Sequence, residues 1–187
     1  MCINIFTKHV FIIYILIYKL QKINIFRRKR LKIIVFSDSH GNVDGIKKVF
    51  ETLKFDYLVF LGDGLKDLKN YIYLDNVMAV SGNCDYFSDE PIERLFNANG
   101  VLIFMTHGHK YSAKSGINQL KTKGREEKAD IVLFGHTHVP LIEKFEDIIV
   151  ANPGTFQKRP NGICQMLEIN IDDNKKIDIK PIYINLN

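Results

Sequence analysis

Apolar runs that stop abruptly in a small polar cluster recur along this chain. "LKIIVF" (31–36) is continuous, as in a strand buried on both faces, and it ends in "SDSHGN". "NVDGIKKVFETL" (42–53) then places Val43, Ile46, Val49, Phe50 and Leu53 at helical spacing. "DYLVFLGD" (56–63) and "VMAVSGNCD" (77–85) read as two further buried strands, with a short helical connection between them. Strand, helix, strand and strand in this order predict parallel crossover units.

The second half changes rhythm. "RLFNANGVLIFMTHGH" predicts two strands joined by a tight turn at Asn99 and Gly100. Residues 112–128 predict a helix, which Gly116 and Gly124 weaken. "ADIVLFGHTH" (129–138) repeats the pattern of a strand followed by polar residues, and segments near 141–154, 162–170 and 175–184 read as antiparallel strands. The prediction is an α/β sandwich with sheet at its centre and helices outside.

The first thirty residues do not fit that rhythm. "VFIIYILIY" is apolar, but Lys19 and Lys22 interrupt it short of the roughly 20 residues a membrane span needs, and "RRKR" follows. Large and charged residues downstream do not resemble a signal cleavage site. The segment is dominated by Ile, Phe, Tyr, Lys, Asn and Arg, as translated AT-rich upstream sequence would be, and Leu31 stands where a domain opening on its first strand would start. We read 1–30 as an extension from a mis-assigned start. A membrane-associating arm and a partner-binding arm are less favoured, and 31–187 is read as one domain.

Charge follows the same division. The chain carries +5 overall, yet seven of its 26 basic residues and none of its 21 acidic residues lie in 1–30. That leaves 19 basic against 21 acidic residues over 31–187, so the domain has no basic footprint for a nucleic acid. Three widely spaced cysteines, Cys2, Cys84 and Cys164, make neither a disulfide framework nor a zinc ribbon, and they suit a cytoplasmic setting.

Five predicted strands end in residues able to hold a metal: Asp38 with His40, Asp63, Asn83, His107 with His109, and His136 with His138. Singly, most have ordinary roles, since Asp and Asn cap helices and make turns. Together they account for five of the six histidines in the chain, and the carboxyl ends of parallel strands are where ligand sites gather. Mixed nitrogen and oxygen donors without thiolate suit manganese, iron or zinc better than calcium. So many imidazoles exceed the need of one ion, so two metals are expected.

"SDSHGN", "GD" at 62–63, "GNCD", "THGH" and "GHTH" resemble the ordered motifs of the calcineurin-like metallophosphoesterase superfamily, in its small single-domain bacterial and archaeal phosphodiesterase branch. "NPGTFQKRP" (152–160), with Thr155 as its small hydroxyl residue, is similar to that branch as well. The resemblance implies a four-layer αββα sandwich of two mixed sheets. It implies two divalent ions, Mn²⁺ first with Fe, Zn²⁺ or Ni²⁺ as alternatives. Asp38, His40 and His138 would hold one ion, and Asn83, His107 and His136 the other. Asp63 would bridge them, one carboxylate oxygen to each.

The implied reaction is hydrolysis of a small phosphodiester by a hydroxide shared between the metals, with Asp63 and Asn83 in the catalytic centre. Where many superfamily members have a histidine after "GN", this chain has Cys84. An unperturbed thiol is a weak proton donor, so esters with good leaving groups are expected. His109 is expected as a catalytic helper toward the leaving group, and to contact the phosphate or support a ligand. Cys84 lies at the substrate position by motif, but it reads more simply as a small buried filler.

A scaffold or binding module with little catalysis is the competing class, since a retromer subunit resembles this fold and works through protein contacts. Metal storage or sensing is a third. Retention of all seven ligand positions favours the enzyme. Specificity is expected in the loops at 64–76 and 85–95, where Tyr71, Tyr73, Tyr86 and Phe87 either line a pocket or pack. The oligomeric state stays open, a homodimer included.

Overall fold

The structure, a computed structural model, describes residues 30–186. The expectations for 1–30 therefore concern a segment that, but for Arg30, lies outside the described residues. Among the described residues no helix is long and apolar enough to cross a membrane.

Two five-stranded sheets face each other. The first runs β10 (Ile177–Asn185), β9 (Ile163–Ile171), β1 (Leu31–Phe36), β2 (Tyr57–Phe60), β3 (Val77–Ala79). Here β1, β2 and β3 are parallel, and β9 and β10 close the sheet antiparallel. The second runs β4 (Glu93–Ala98), β5 (Val101–Thr106), β6 (Ile131–Leu133), β8 (Ile149–Asn152), β7 (Leu141–Lys144). Its outer strands β4 and β7 are antiparallel to their neighbours, and β5, β6 and β8 are parallel.

Burial on both faces explains the unbroken apolar runs. Ile33 and Val35 of β1 point between the sheets, where they join Val59, Ile103, Met105, Ile131 and Leu133. Their neighbours Ile34 and Phe36 face outward into a second cluster with Leu58, Phe60 and the Ile46 and Val49 face of α1 (Val43–Thr52). On the far side, Leu120 of α2 (Asn118–Glu126) packs with Phe104, Val132 and Phe134. The order of layers is helix, sheet, sheet, helix, as expected.

Three details refine the expectation. Between Ala98 and Val101, Asn99 and Gly100 both have positive φ, 51° and 80°, as a two-residue hairpin of this twist requires. The helix expected over 112–128 is shorter: Ala113–Ser115 is a separate 3₁₀ turn, and Gly116 at φ 132° breaks the chain before α2 begins. Gly124 persists inside α2 because a Cβ there would lie 2.4 Å from Val132 and 2.6 Å from Ile148, so its absence permits close helix-to-sheet contact. The last strands are not uniformly antiparallel either. β7 turns back along the edge, which lets β8 insert parallel to β6, and strand direction leaves no trace in apolar alternation.

Glu168 on β9 ties three strands together, with Lys32 of β1 at 2.9 Å and Lys180 of β10 at 3.0 Å. Burial works against its ionisation, but Asn170, Lys32 and Lys180 more than offset this and hold its carboxyl at about 2. A depressed folded pKa stabilises fully above the ordinary value of 4.5, and that contribution disappears as pH falls to about 2. Because both lysines are largely solvated, Glu168→Gln is expected to cost about 1 kcal/mol at pH 7. Urea denaturation should show the gap from wild type closing between pH 4.5 and 2.

Candidate metal centre

Every candidate ligand lies just beyond the carboxyl end of β1, β2, β3, β5 or β6, so both sheets deliver donors to one shared edge. Delivery requires sharp turns. Asp38, His40, Asp63, His136 and His138 all have left-handed backbone, with φ between 42° and 67°. A non-glycine residue in this region costs on the order of 1 kcal/mol or more and persists only where surroundings over-determine it. Those surroundings are visible: the Asp38 amide donates to the Gly62 carbonyl at 2.9 Å, and the Thr155 hydroxyl donates to the Asp38 carbonyl at 2.9 Å. Five of seven candidate ligands sharing one strained conformation is a pattern that ordinary turn residues do not require.

The donors form two groups. Asp38, His40 and His138 make one, and Asp63, His107 and His136 make the other. In the first, Asp38 Oδ1 is buried and accepts no hydrogen bond. It faces His138 Nε2 at 3.1 Å and His40 Nε2 at 3.9 Å, and the two nitrogens are 3.2 Å apart. Two imidazole nitrogens converging on a buried oxygen that no proton satisfies make three electron-pair donors that fit a divalent cation. Asp38 Oδ2 is occupied by the amide of His136 at 3.0 Å, which ties the two groups together.

In the second group, His107 Nδ1–H donates to the Leu61 carbonyl at 2.7 Å, which leaves Nε2 as the free electron pair. That nitrogen lies 3.4 Å from Asp63 Oδ2 and 3.1 Å from Asn83 Oδ1, so Asn83 joins the group by its carbonyl. Asp63 Oδ1 accepts the Cys84 amide at 2.8 Å. Thus Asp63 belongs with His107 and His136, and its two oxygens have different neighbours. The acids are buried while His40, His138 and Asn83 are exposed, which leaves the imidazole side open to a ligand.

Electrostatics reflect this crowding. Burial pushes the Asp38 carboxyl up despite the nearby imidazoles of His107 and His138. Burial also opposes ionisation of Asp63, but His107 and the Cys84 amide outweigh it and lower its pKa. His107 is raised, because Asp63 and Asp38 outweigh its desolvation. His136 is lowered to about 4 by burial, His107 and Lys114, so it is a neutral electron-pair donor at neutral pH.

His109 sits beside this group, its ring centroid 5.5 Å from that of His107 and 6.2 Å from that of His136. Its Nδ1 is buried without a hydrogen-bond partner, and burial and His107 lower its pKa. Cys84 is not the buried filler expected of it: the residue is exposed, and Asn83 Nδ2 donates to its Sγ at 3.3 Å. Partial burial and the carboxylates of Asp63, Asp85 and Asp38 push the thiol up, which makes it a still weaker acid.

Two positioning acids escaped the sequence reading. Asp85 accepts four amides, from Asp63 at 2.7 Å and Gly82 at 2.9 Å on one oxygen, and from Gly64 and Leu65 at 2.8 Å on the other. Asp67, which is buried, accepts the Ser39 hydroxyl and the Gly41 amide, both at 2.7 Å, and so fixes the loop that carries His40. Close approach of the β2 and β3 loops also needs glycine. At Gly62, φ 92°, a Cβ would lie 2.5 Å from the Gly82 nitrogen.

Residues 31–174 match the model of the calcineurin-like phosphoesterase superfamily domain, and the chain belongs to that family. A phosphodiesterase of Methanocaldococcus jannaschii is 27% identical over 174 residues, with 82% of this chain and 99% of the relative covered. A Streptococcus pneumoniae protein described as a predicted phosphoesterase has the same fold, with a TM-score of 0.67 at 23% identity, covering 83% of this chain and 98% of that one. Vacuolar protein sorting 29 of Cryptosporidium parvum shares the fold as well, with a TM-score of 0.64 at 17% identity, covering 83% and 98%.

Proposed function

We propose that this chain is a divalent-metal-dependent phosphodiesterase with a dinuclear centre, acting in the cytoplasm on a small phosphodiester. The observation that carries the reading is the pair of donor groups at one sheet edge, with Asp38 Oδ1 buried and unsatisfied among imidazole nitrogens. Family membership and the likeness to a named phosphodiesterase support it. Asp38, His40 and His138 would hold one ion, and His107, His136 and Asn83 the other, with Asp63 between them. Manganese suits this donor set, and iron, zinc or nickel are the alternatives.

When bound, such ions would lower the pKa of a water and neutralise charge on the phosphate oxygens. The chain's own residues do the rest. Leu61 fixes the tautomer of His107, and Asp85 sets the backbone from which Asp63 projects. His109, next to both His107 and His136, would contact the phosphate. No side chain needs to act as a covalent nucleophile. Cys84, a thiol where an imidazole would be the better proton donor, gives a leaving group little help, so diesters with acidic leaving alcohols should react fastest.

The test strips the protein of metal, titrates Mn²⁺ back, and follows bound ions and hydrolysis of bis(p-nitrophenyl) phosphate and p-nitrophenyl phosphate. Two ions per chain and preferential diester hydrolysis are expected. Two ions bound with neither ester cleaved would instead favour the scaffold or storage reading.

A further inference from the structure

Four aromatic residues stand in the two loops near the centre, and the fold sorts them. Tyr71 stacks on Phe50 with ring centroids 3.9 Å apart and packs against the outer core of the first sheet. Tyr73 is exposed and is not among the residues that line the cavity beside Tyr86 and Phe87. Tyr86 and Phe87 are different. Together with Leu65, Lys66, Cys84, Asp85 and Ser88 they line a cavity of about 300 Å³.

Three observations make this cavity more than a surface dent. It adjoins the donor groups through shared residues, since the Cys84 amide binds Asp63 and its sulfur accepts from Asn83. Its floor is rigid, because Asp85 holds Asp63, Gly64, Leu65 and Gly82 through four amides. Its aromatic wall is open to an incoming ring: Tyr86 and Phe87 are neighbours in sequence, 80% and 105% exposed, and Phe87 has a left-handed backbone at φ 62°. The size lies at the small end for ligand cavities, suited to one ring system. Lys66, exposed on the same wall, matches an anionic ligand.

We propose that this cavity is the subsite for a planar aromatic group carried by the phosphoester, stacked against Tyr86 and Phe87 with Lys66 supplying positive charge beside it. A nucleobase and an aryl group share the required chemistry. The inference rests on the phosphoesterase reading and assigns a substrate class to it.

Binding tests it without relying on turnover. Adenosine 5′-monophosphate, phenyl phosphate and ribose 5-phosphate are titrated calorimetrically into the full-length Mn²⁺-loaded chain and into a Tyr86→Ala/Phe87→Ala variant. Stacking of this kind should make the aromatic monophosphates bind roughly tenfold tighter than ribose 5-phosphate. The double variant should lose that preference and bind ribose 5-phosphate as before. Preference for adenosine 5′-monophosphate alone identifies a nucleobase; preference shared by phenyl phosphate identifies a general aryl subsite. Lys66→Met should weaken all three ligands alike. Equal affinity of the wild type for all three, or a preference that survives the double substitution, overturns the proposal. Aromatic preference in a protein that cleaves no ester leaves the subsite standing and removes the phosphodiesterase reading.

Discussion

Replacing Asp63 with Asn is expected to reduce kcat/KM for bis(p-nitrophenyl) phosphate by roughly a thousandfold while the fold survives. Asp63 is the anionic member of the second donor group, and its Oδ2 faces His107. The two dications proposed for this edge would need such a charge between them, and the stabilisation they would offer is worth several kcal/mol, with each ~1.4 kcal/mol a factor of ten in rate. Structurally little is lost. The Asn carbonyl can still accept the Cys84 amide that Asp63 Oδ1 accepts at 2.8 Å. The metal-free melting temperature should therefore shift by only a few degrees, while the rise on adding Mn²⁺ should shrink sharply. Activity within tenfold of wild type at saturating Mn²⁺ would remove Asp63 from the centre of the chemistry.

The position of Asp63 at the sheet edge is legible in the sequence, because it follows a strand that sequence marks clearly. The same holds for Asp38 and His107: a buried parallel strand is an unbroken apolar run, and its first polar residues must lie at the edge where loops converge. What sequence could not show was the backbone. Nothing in "SDSHGN" or "GHTH" announces that Asp38, His40, His136 and His138 are left-handed, since that conformation is imposed by contacts distant in the chain, such as the Asp38 amide on Gly62. The shortened α2 is a failure of the same kind. Helical propensity over 112–128 was overridden by left-handed residues at Ser112 and Gly116, which local composition only hinted at. Tyr71 and Phe87 looked alike as aromatic loop residues, and only packing separates the one stacked on Phe50 from the one facing solvent.

Asp85 was the most consequential omission, and its removal carries the second large effect. The last residue of "GNCD" reads as one more turn acid, and the four amides it gathers come from two different loops. Asp85→Ala leaves those donors to whatever water reaches them. The cost is expected to be about 3 kcal/mol, since hydrogen bonds to a charged acceptor are individually worth ~1.5–3 and do not add fully. For a chain of this size that corresponds to a fall in melting temperature of roughly 6–12 °C. Asp85→Asn should not rescue it. One amide oxygen can serve one pair of donors, but its NH₂ would then point at the other pair, donor against donor. Because the backbone of Asp63 would be freed, Mn²⁺ affinity should fall by about 10- to 100-fold, as for other residues that orient ligands without touching the ion. The two acids can then be told apart by metal titration. Excess Mn²⁺ should restore much of kcat in Asp85→Ala, where the ligands are all present but loosely held, and should restore none in Asp63→Asn. Recovery in both variants, or in neither, would mean that Asp85 does not act by positioning Asp63.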